Sequence, residues 1–156
     1  MTRINLVPPS ELMDQHLFAE FREIKMVPKA LQRSLEAAKK RTNATNAAAT
    51  VLNSIPKAFT LNTGHVCFFY NKGAYLTERY ESLKNELTRR GFNFNVDSVF
   101  DPDAVFKNAA FNNNYVPTPE AFSVVRQRIA EKIAMKPSWY RYYGNSYSGD
   151  VLYVTV

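Results

Sequence analysis

Three groups of residues have the types and spacing to do chemistry. The first is the start of the chain, Met1-Thr2-Arg3. Thr2 is small, so removal of Met1 by an aminopeptidase is expected, leaving a free α-amine on Thr2. An α-amine titrates at about 7.7–8.0, so a useful fraction is neutral near pH 7, whereas a lysine at about 10.4 needs desolvation to match it. A neutral amine attacks a carbonyl-like carbon and forms an imine. Met-Thr starts are common, and this pair alone identifies no activity. The second group lies between Gln15 and Met26. Helical spacing puts Gln15, Ala19, Arg22 and Met26 on one strip, with His16, Glu20 and Glu23 beside it. A carboxylate there can relay protons to an amine or stabilise positive charge developing on a sugar. An ordinary solvated helix face shows the same pattern. The third group is Arg128, Lys132 and Lys136 at i, i+4 and i+8, leading into Trp139-Tyr140-Arg141-Tyr142-Tyr143-Gly144. Aromatic rings mixed with arginine stack on bases or pack on a sugar-phosphate backbone. A hydrophobic plug at the end of a domain would use the same rings.

The elements that position these groups are mostly helices. Ser10 is a cap candidate for a helix through Glu11 and on to Met26, with Leu17, Phe21 and Ile24 facing the core. Pro28 kinks or ends it. A second helix should carry Leu31, Leu35 and Ala38 inward, and Lys29, Arg33, Lys40 and Arg41 elsewhere. Residues 42–50 are of low complexity and read as a loop or frayed helix end. Leu76, Tyr80, Leu83 and Leu87 keep a helical stripe that Gly91 terminates. Residues 92–116, rich in Asn, Asp and Pro, read as irregular. Thr118-Pro119-Glu120 is a helix start, with Phe122, Val125, Ile129 and Ile133 as the core stripe, and Pro137 is the stop. Residues 150–156 have strand composition. The expectation is a mainly α, single compact helical domain spanning residues 1–156, with long loops and a short C-terminal strand.

Bulk properties narrow the function classes. Aromatic content of 13% and charged content of 22% describe a globular chain rather than a disordered one. No apolar run is long enough for a helical membrane span, and residues 1–14 lack the apolar core of a signal peptide. One cysteine, Cys67, forms no internal disulfide and reads as a small core residue; with only His16 and His65 it makes no zinc site. A cytoplasmic location is expected. The net charge is +6, and it is concentrated. Residues 22–41 carry seven Lys/Arg against two Glu, and residues 126–141 carry five against one. Two basic segments on a mildly acidic remainder suggest a polyanion footprint.

Several blocks resemble one family. Met1-Thr2-Arg3-Ile4-Asn5-Leu6, Ser10-Glu11-Leu12, Asp14-Gln15-His16-Leu17 and Arg22-Glu23 are similar to the T-even phage endonuclease V family, the pyrimidine-dimer DNA glycosylases. So are Gly64-His65-Val66 with Phe68-Phe69-Tyr70, Arg90-Gly91-Phe92-Asn93, and Glu131-Lys132-Ile133-Ala134 with the Trp139 run. The blocks keep their order over about half of the chain. The resemblance implies a helical domain with the amino-terminal segment threaded between helices. It implies that the Thr2 amine attacks the anomeric carbon of a damaged nucleotide, releases the base through an imine, and nicks the strand by β-elimination, with no metal or organic cofactor. It assigns Glu23 as the catalytic carboxylate and puts Arg22 against DNA at the active site. Arg3, Gln15 and His16 fall near the active centre, and Arg128 and Lys132 grip phosphates. The implied partner is damaged double-stranded DNA, sharply kinked with a flipped base, bound by a monomer. With the charge and aromatic pattern, the DNA-binding set becomes Arg3, Gln15, His16, Lys25, Lys29, Arg128, Lys132, Lys136, Trp139, Tyr140 and Arg141.

There are departures. Met26 replaces an arginine that contacts DNA, and Lys25 or Lys29 is the candidate replacement. Pro8-Pro9 is stiffer than the family pattern, and residues 41–62 and the tail after Gly144 are longer. Lesion choice therefore stays open between pyrimidine dimers and another damaged base. A non-catalytic DNA-binding domain is the reading of a different class.

Overall fold

The first structural question is how one helix can serve both the core and a polar surface. The computed structural model describes residues 3–146, apart from the side chains of residues 44 and 45. Helix α1 spans Asp14–Glu23, and its apolar face, Leu17, Phe21 and the following Ile24, is buried. The helix does not begin at Ser10. Pro9–Glu11 is a single 3₁₀ turn, and Leu12 and Met13 are extended and fully buried before α1 starts. Burying two consecutive large side chains takes precedence over the capping signal of Ser10, which is exposed. Asp14 then opens α1 with a carboxylate at the positive end of its dipole.

Helix α2 spans Met26–Arg41. Pro28 lies inside its first turn, so the break falls upstream of the proline and not at it. The reason is local. Pro28 has no N–H to give the Ile24 carbonyl, so Val27 N–H bonds that carbonyl at 3.1 Å with the tighter i−3 reach. Ile24 and Lys25 keep right-handed helical dihedrals, so the chain bends without leaving helical space. Leu31 and Ala38 are buried and Leu35 packs on the core.

Residues 42–50 are not a loop. Helix α3, Ala44–Asn53, begins where the Asn43 side chain accepts from Asn46 N–H at 2.9 Å. Alanine-rich sequence is favourable in a helix, and Ala47 and Val51, four apart, bury against α2. A single turn, α4 (His65–Phe68), leads to α5, Gly73–Arg89. Helix α5 ends as the sequence predicts. Gly91 has φ +78°, its N–H bonds Thr88 O, and Phe92 N–H bonds Leu87 O. Residues 92–116 are irregular apart from two 3₁₀ turns. Helix α6, Pro119–Met135, starts on Thr118, whose hydroxyl accepts from Ala121 N–H. Its buried stripe is Ala121, Val125, Ile129 and Ile133, with Phe122 only half-buried.

The tail holds an unexpected hairpin. Strand β1 (Arg141–Tyr142) pairs antiparallel with β2 (Asn145–Ser146) through Tyr143 and Gly144, both at positive φ. That pattern matches the primed two-residue turn, whose twist suits paired strands. The strand expected at 150–156 lies outside the described residues. The fold is compact and mainly α. Among the described residues no helix is long and apolar enough to cross a membrane. Cys67 is half-buried rather than central, with its thiol 3.7 Å from Ser54 O.

Under α1, α5 fixes the amino-terminal segment. Glu20 and Arg79 are buried and paired, Nε to Oε2 at 2.6 Å and Nη2 to Oε1 at 3.0 Å. Glu20 also accepts from Asn5 N–H and Asn5 Nδ2, and Arg79 donates to Val7 O. The segment is thereby held as core, and Ile4, Leu6 and Val7 are buried. Arg79→Met leaves Glu20 charged, buried and without its cation. It should lower unfolding free energy by about 3–5 kcal/mol, read as a shifted urea midpoint.

Candidate active site

Helix α1, the amino-terminal segment, α6 and the start of the tail enclose a cavity of about 250 Å³. Arg3 and Asn5 come from the segment, and Gln15, His16, Ala19 and Glu23 from α1. Arg128 and Lys132 come from α6, and Trp139 and Tyr140 follow it. Ala19 lies at the middle of this strip, and its small side chain leaves the space open.

Most of the residues expected to act together therefore meet here, although they are over one hundred positions apart in sequence. Some do not line the cavity. Arg22 is exposed on α1 beside Glu23, and Lys29 is exposed on α2. Lys25 turns the other way, bonding Ser98 Oγ over the rings of Phe21 and Tyr80. Lys136 lies over Trp139, 5.6 Å from the ring centre, and Arg141 is exposed on β1. Glu20, expected on the polar surface, does touch the cavity, but it is 1% exposed and paired with Arg79 beneath it. Arg22, Lys25, Lys29, Lys136 and Arg141 are thus not among the residues that line the cavity, and Thr2 lies outside the described residues.

Gln15 has a more structural duty than its spacing suggests. Its amide nitrogen donates to Trp139 O at 2.7 Å, and its oxygen accepts from Arg141 N–H at 3.0 Å. Asp14 next to it accepts from the backbone N–H groups of Tyr143 and Gly144 and from Arg90. Arg90 also binds Glu86, and its guanidinium lies under the rings of Tyr142 and Tyr143. Glu86 accepts from the Tyr143 hydroxyl at 2.8 Å. These residues hold the aromatic wall against α1, leaving Trp139 54% exposed at the rim and Tyr140 buried against His16. Sequence reading missed Asp14, Glu86 and Arg90 in this role. No local pattern marked them: Arg90 ends a polar run, Thr88-Arg89-Arg90, at the close of α5, and Asp14 reads as an ordinary acid in the first turn of α1.

The electrostatics are lopsided. Burial lowers the pKa of Arg3, and Arg128 lowers it further, while Glu23 opposes both. Like charges are therefore close enough to repel. Burial also pushes His16 down to about 4, helped by Arg3 and Lys132, so its ring is neutral near pH 7. Its Nδ1 has no hydrogen-bond partner. Among the described residues Glu23 makes no hydrogen bond or ion pair, so its carboxylate is available to a reacting group. Three cations, one such carboxylate and a neutral imidazole form a site for an anion whose chemistry develops positive charge nearby.

Fold and cavity together define a small, mainly helical protein with three cations and a carboxylate around one open cavity. The model of one family, pyrimidine dimer DNA glycosylase, matches residues 1–99. The chain belongs to that family, and it is a DNA glycosylase of DNA repair whose substrate is DNA. The match takes in Arg3, Gln15, His16 and Glu23, while α6 and the hairpin lie beyond it.

His16 gives a direct check on this electrostatic description. Its NMR titration should fall at about 4 rather than near 6.5. Between those values the unfolded chain binds the proton and the folded chain does not. Stability should therefore decline as pH drops from about 6.5 to about 4, and this part of the decline should be absent in His16→Leu, read from urea midpoints.

Proposed function

We propose that the protein excises cyclobutane pyrimidine dimers from duplex DNA and nicks the resulting abasic strand, acting as a monomer with the Thr2 α-amine as nucleophile. The observation that supports this reading most directly is Arg3. It lines the cavity with Glu23, Arg128 and Lys132. The Thr2 nitrogen is two residues upstream of the Ile4 nitrogen and so within about 7 Å of it. Chain length alone thus keeps this amine within reach of the residues that line the cavity.

In the proposed sequence, Arg128 and Lys132 hold phosphates, with Lys29, Lys136 and Arg141 extending the cationic border and Arg22 meeting the strand beside Glu23. Trp139 and Tyr140 offer ring faces to exposed nucleotides. The neutral amine gives its lone pair to C1′. The glycosidic C1′–N bond breaks and its electron pair leaves with the base, which takes up a proton. Glu23 stabilises the positive charge on the sugar and accepts a proton from the attacking nitrogen as the ring opens to the imine. Loss of a C2′ proton then forms the C2′–C3′ double bond and expels the 3′ phosphate, which cuts the strand. No step draws on a metal or organic cofactor.

A second reading keeps this chemistry and changes the lesion. Met26 is 47% exposed, an apolar side chain where the resemblance expects a cation. A panel of duplexes carrying different lesions decides between the two: strong cutting of another damaged base with none at dimers favours the second.

Three results test the chemistry. Borohydride should trap a covalent adduct on dimer or abasic duplex, and acetylation of the Thr2 amine should abolish it. Glu23→Gln should bind DNA normally and lose about 10²–10⁴-fold in base release; unimpaired release removes Glu23 from the mechanism. Arg128→Ala should flatten the slope of log affinity against log salt by about 0.9.

A further inference from the structure

His65 is buried and belongs to none of the chemistry above, yet it has a side-chain bond to the amino-terminal segment. Its Nε2 accepts from Ile4 N–H at 2.8 Å. Its Nδ1 lies 2.8 Å from Thr60 O. Since Nε2 is the acceptor, the ring proton is on Nδ1 and is donated to Thr60 O. Both nitrogens are committed in the neutral ring. The edges of Phe59 and Phe69 flank it, with ring centres 5.5 and 5.4 Å away.

Three anchors hold the segment in order. Ile4 is bound by His65, Asn5 by Glu20 and Val7 by Arg79. Of the three, the His65 bond is the one nearest the start of the chain. We propose that His65 is a positioning residue for the reaction, holding the Thr2 amine and Arg3 in register with Glu23 through the Ile4 N–H, and releasing that register when it is protonated. The inference rests on the reading of Thr2 as nucleophile.

The physical basis is a donor facing a donor. An imidazolium carries a proton on Nε2, which would point at the Ile4 N–H, so charging the ring breaks the anchor. Burial keeps the ring neutral, and Arg3 acts in the same direction, while the Thr60 carbonyl and Glu20 favour the charged form. The net shift is downward from 6.5. Asn5 and Val7 keep their own anchors on Glu20 and Arg79, so the loss of register would be confined to the residues before them. A displacement of about 1 Å at a reacting group lowers rate by about 10²-fold.

The test uses the full chain with loss of Met1 verified by mass. Single-turnover borohydride trapping on an abasic duplex is measured at saturating protein from pH 5 to 8.5, with duplex Kd and Tm in parallel. For the wild type, log rate should rise with slope one while only the amine titrates, steepening to two once His65 also titrates, a point located independently by the NMR shift of His65. His65→Leu should lose about 10²-fold in the saturated rate while duplex Kd changes less than threefold. His65→Gln keeps an acceptor of similar reach that does not titrate. It should recover to within about tenfold of wild type and keep slope one across the acid range. The inference is overturned if His65→Leu traps at the wild-type rate, if its loss lies in Kd, or if His65→Gln keeps slope two. Should His65→Leu fail to fold, a wild-type slope of one through the His65 titration overturns it equally. Failure of the Thr2 reading looks different: the wild type then forms no adduct, or forms it undiminished after acetylation.

Discussion

The buried pair of Glu20 and Arg79 is the constraint from which the site follows. Two charges removed from water are unfavourable unless their geometry and remaining hydrogen bonds are nearly complete. Here they are: the carboxylate takes the guanidinium and both Asn5 donors, and the guanidinium reaches Val7 O. The pair therefore needs the amino-terminal segment as much as the segment needs the pair. Leu6 shows the force of this coupling. It sits at φ +60°, left-handed for a branched residue, while Val7 N–H bends back to Asn5 O. Such a conformation is unfavourable by about 1–3 kcal/mol and persists where its surroundings fix it. Residues 4–7 are thereby held as core, and Arg3 is delivered to the cavity.

Helix α1 carries four duties on ten residues, and this explains its sequence better than amphipathicity does. Leu17 and Phe21 face the core, and Glu20 receives the segment. Asp14 and Gln15 at its start hold the tail, and His16, Ala19 and Glu23 face the cavity. The tail's rings are thus referenced to the same helix as the carboxylate. Arg90 ties that mount to the end of α5, close to where the helix terminates on Gly91. The cavity wall and the cavity floor cannot shift independently, because α1 and α5 are already joined by Glu20 and Arg79.

What could be read in the sequence was local or periodic. The stripe of α5, its glycine stop and the Thr118 start of α6 depend on near neighbours, and they appear where the pattern places them. The grouping of Arg3, His16, Glu23, Arg128 and Lys132 in one cavity was expected from family likeness, since no spacing rule joins residues so far apart. The misses share a cause: tertiary contacts chose between locally equivalent options. Leu12 and Met13 are buried, so the cap at Ser10 goes unused. Ala47 and Val51 find a surface on α2, so a polar, alanine-rich run becomes helix. Glu20 and Glu23 look alike on a helical wheel, yet a partner 59 residues away takes one into the core and leaves the other for chemistry. Gln15 carries a second duty that nothing local reveals, because its amide is bonded to the backbone of residues 139 and 141.

The cavity's charge has a consequence for strand binding. The Arg3 proton is held less tightly than usual, first because burial disfavours the charge and then because Arg128 repels it, with Glu23 acting against both. A phosphodiester relieves that repulsion, so strand binding is favoured by energy already stored in the protein. Arg3 and Lys132 also add to burial in disfavouring a proton on His16. Glu23 must then supply the counter-charge at the moment positive charge forms on the sugar. In the proposed reaction the cations and this carboxylate act at successive stages: the first draw in the strand, and the second serves the reacting carbon.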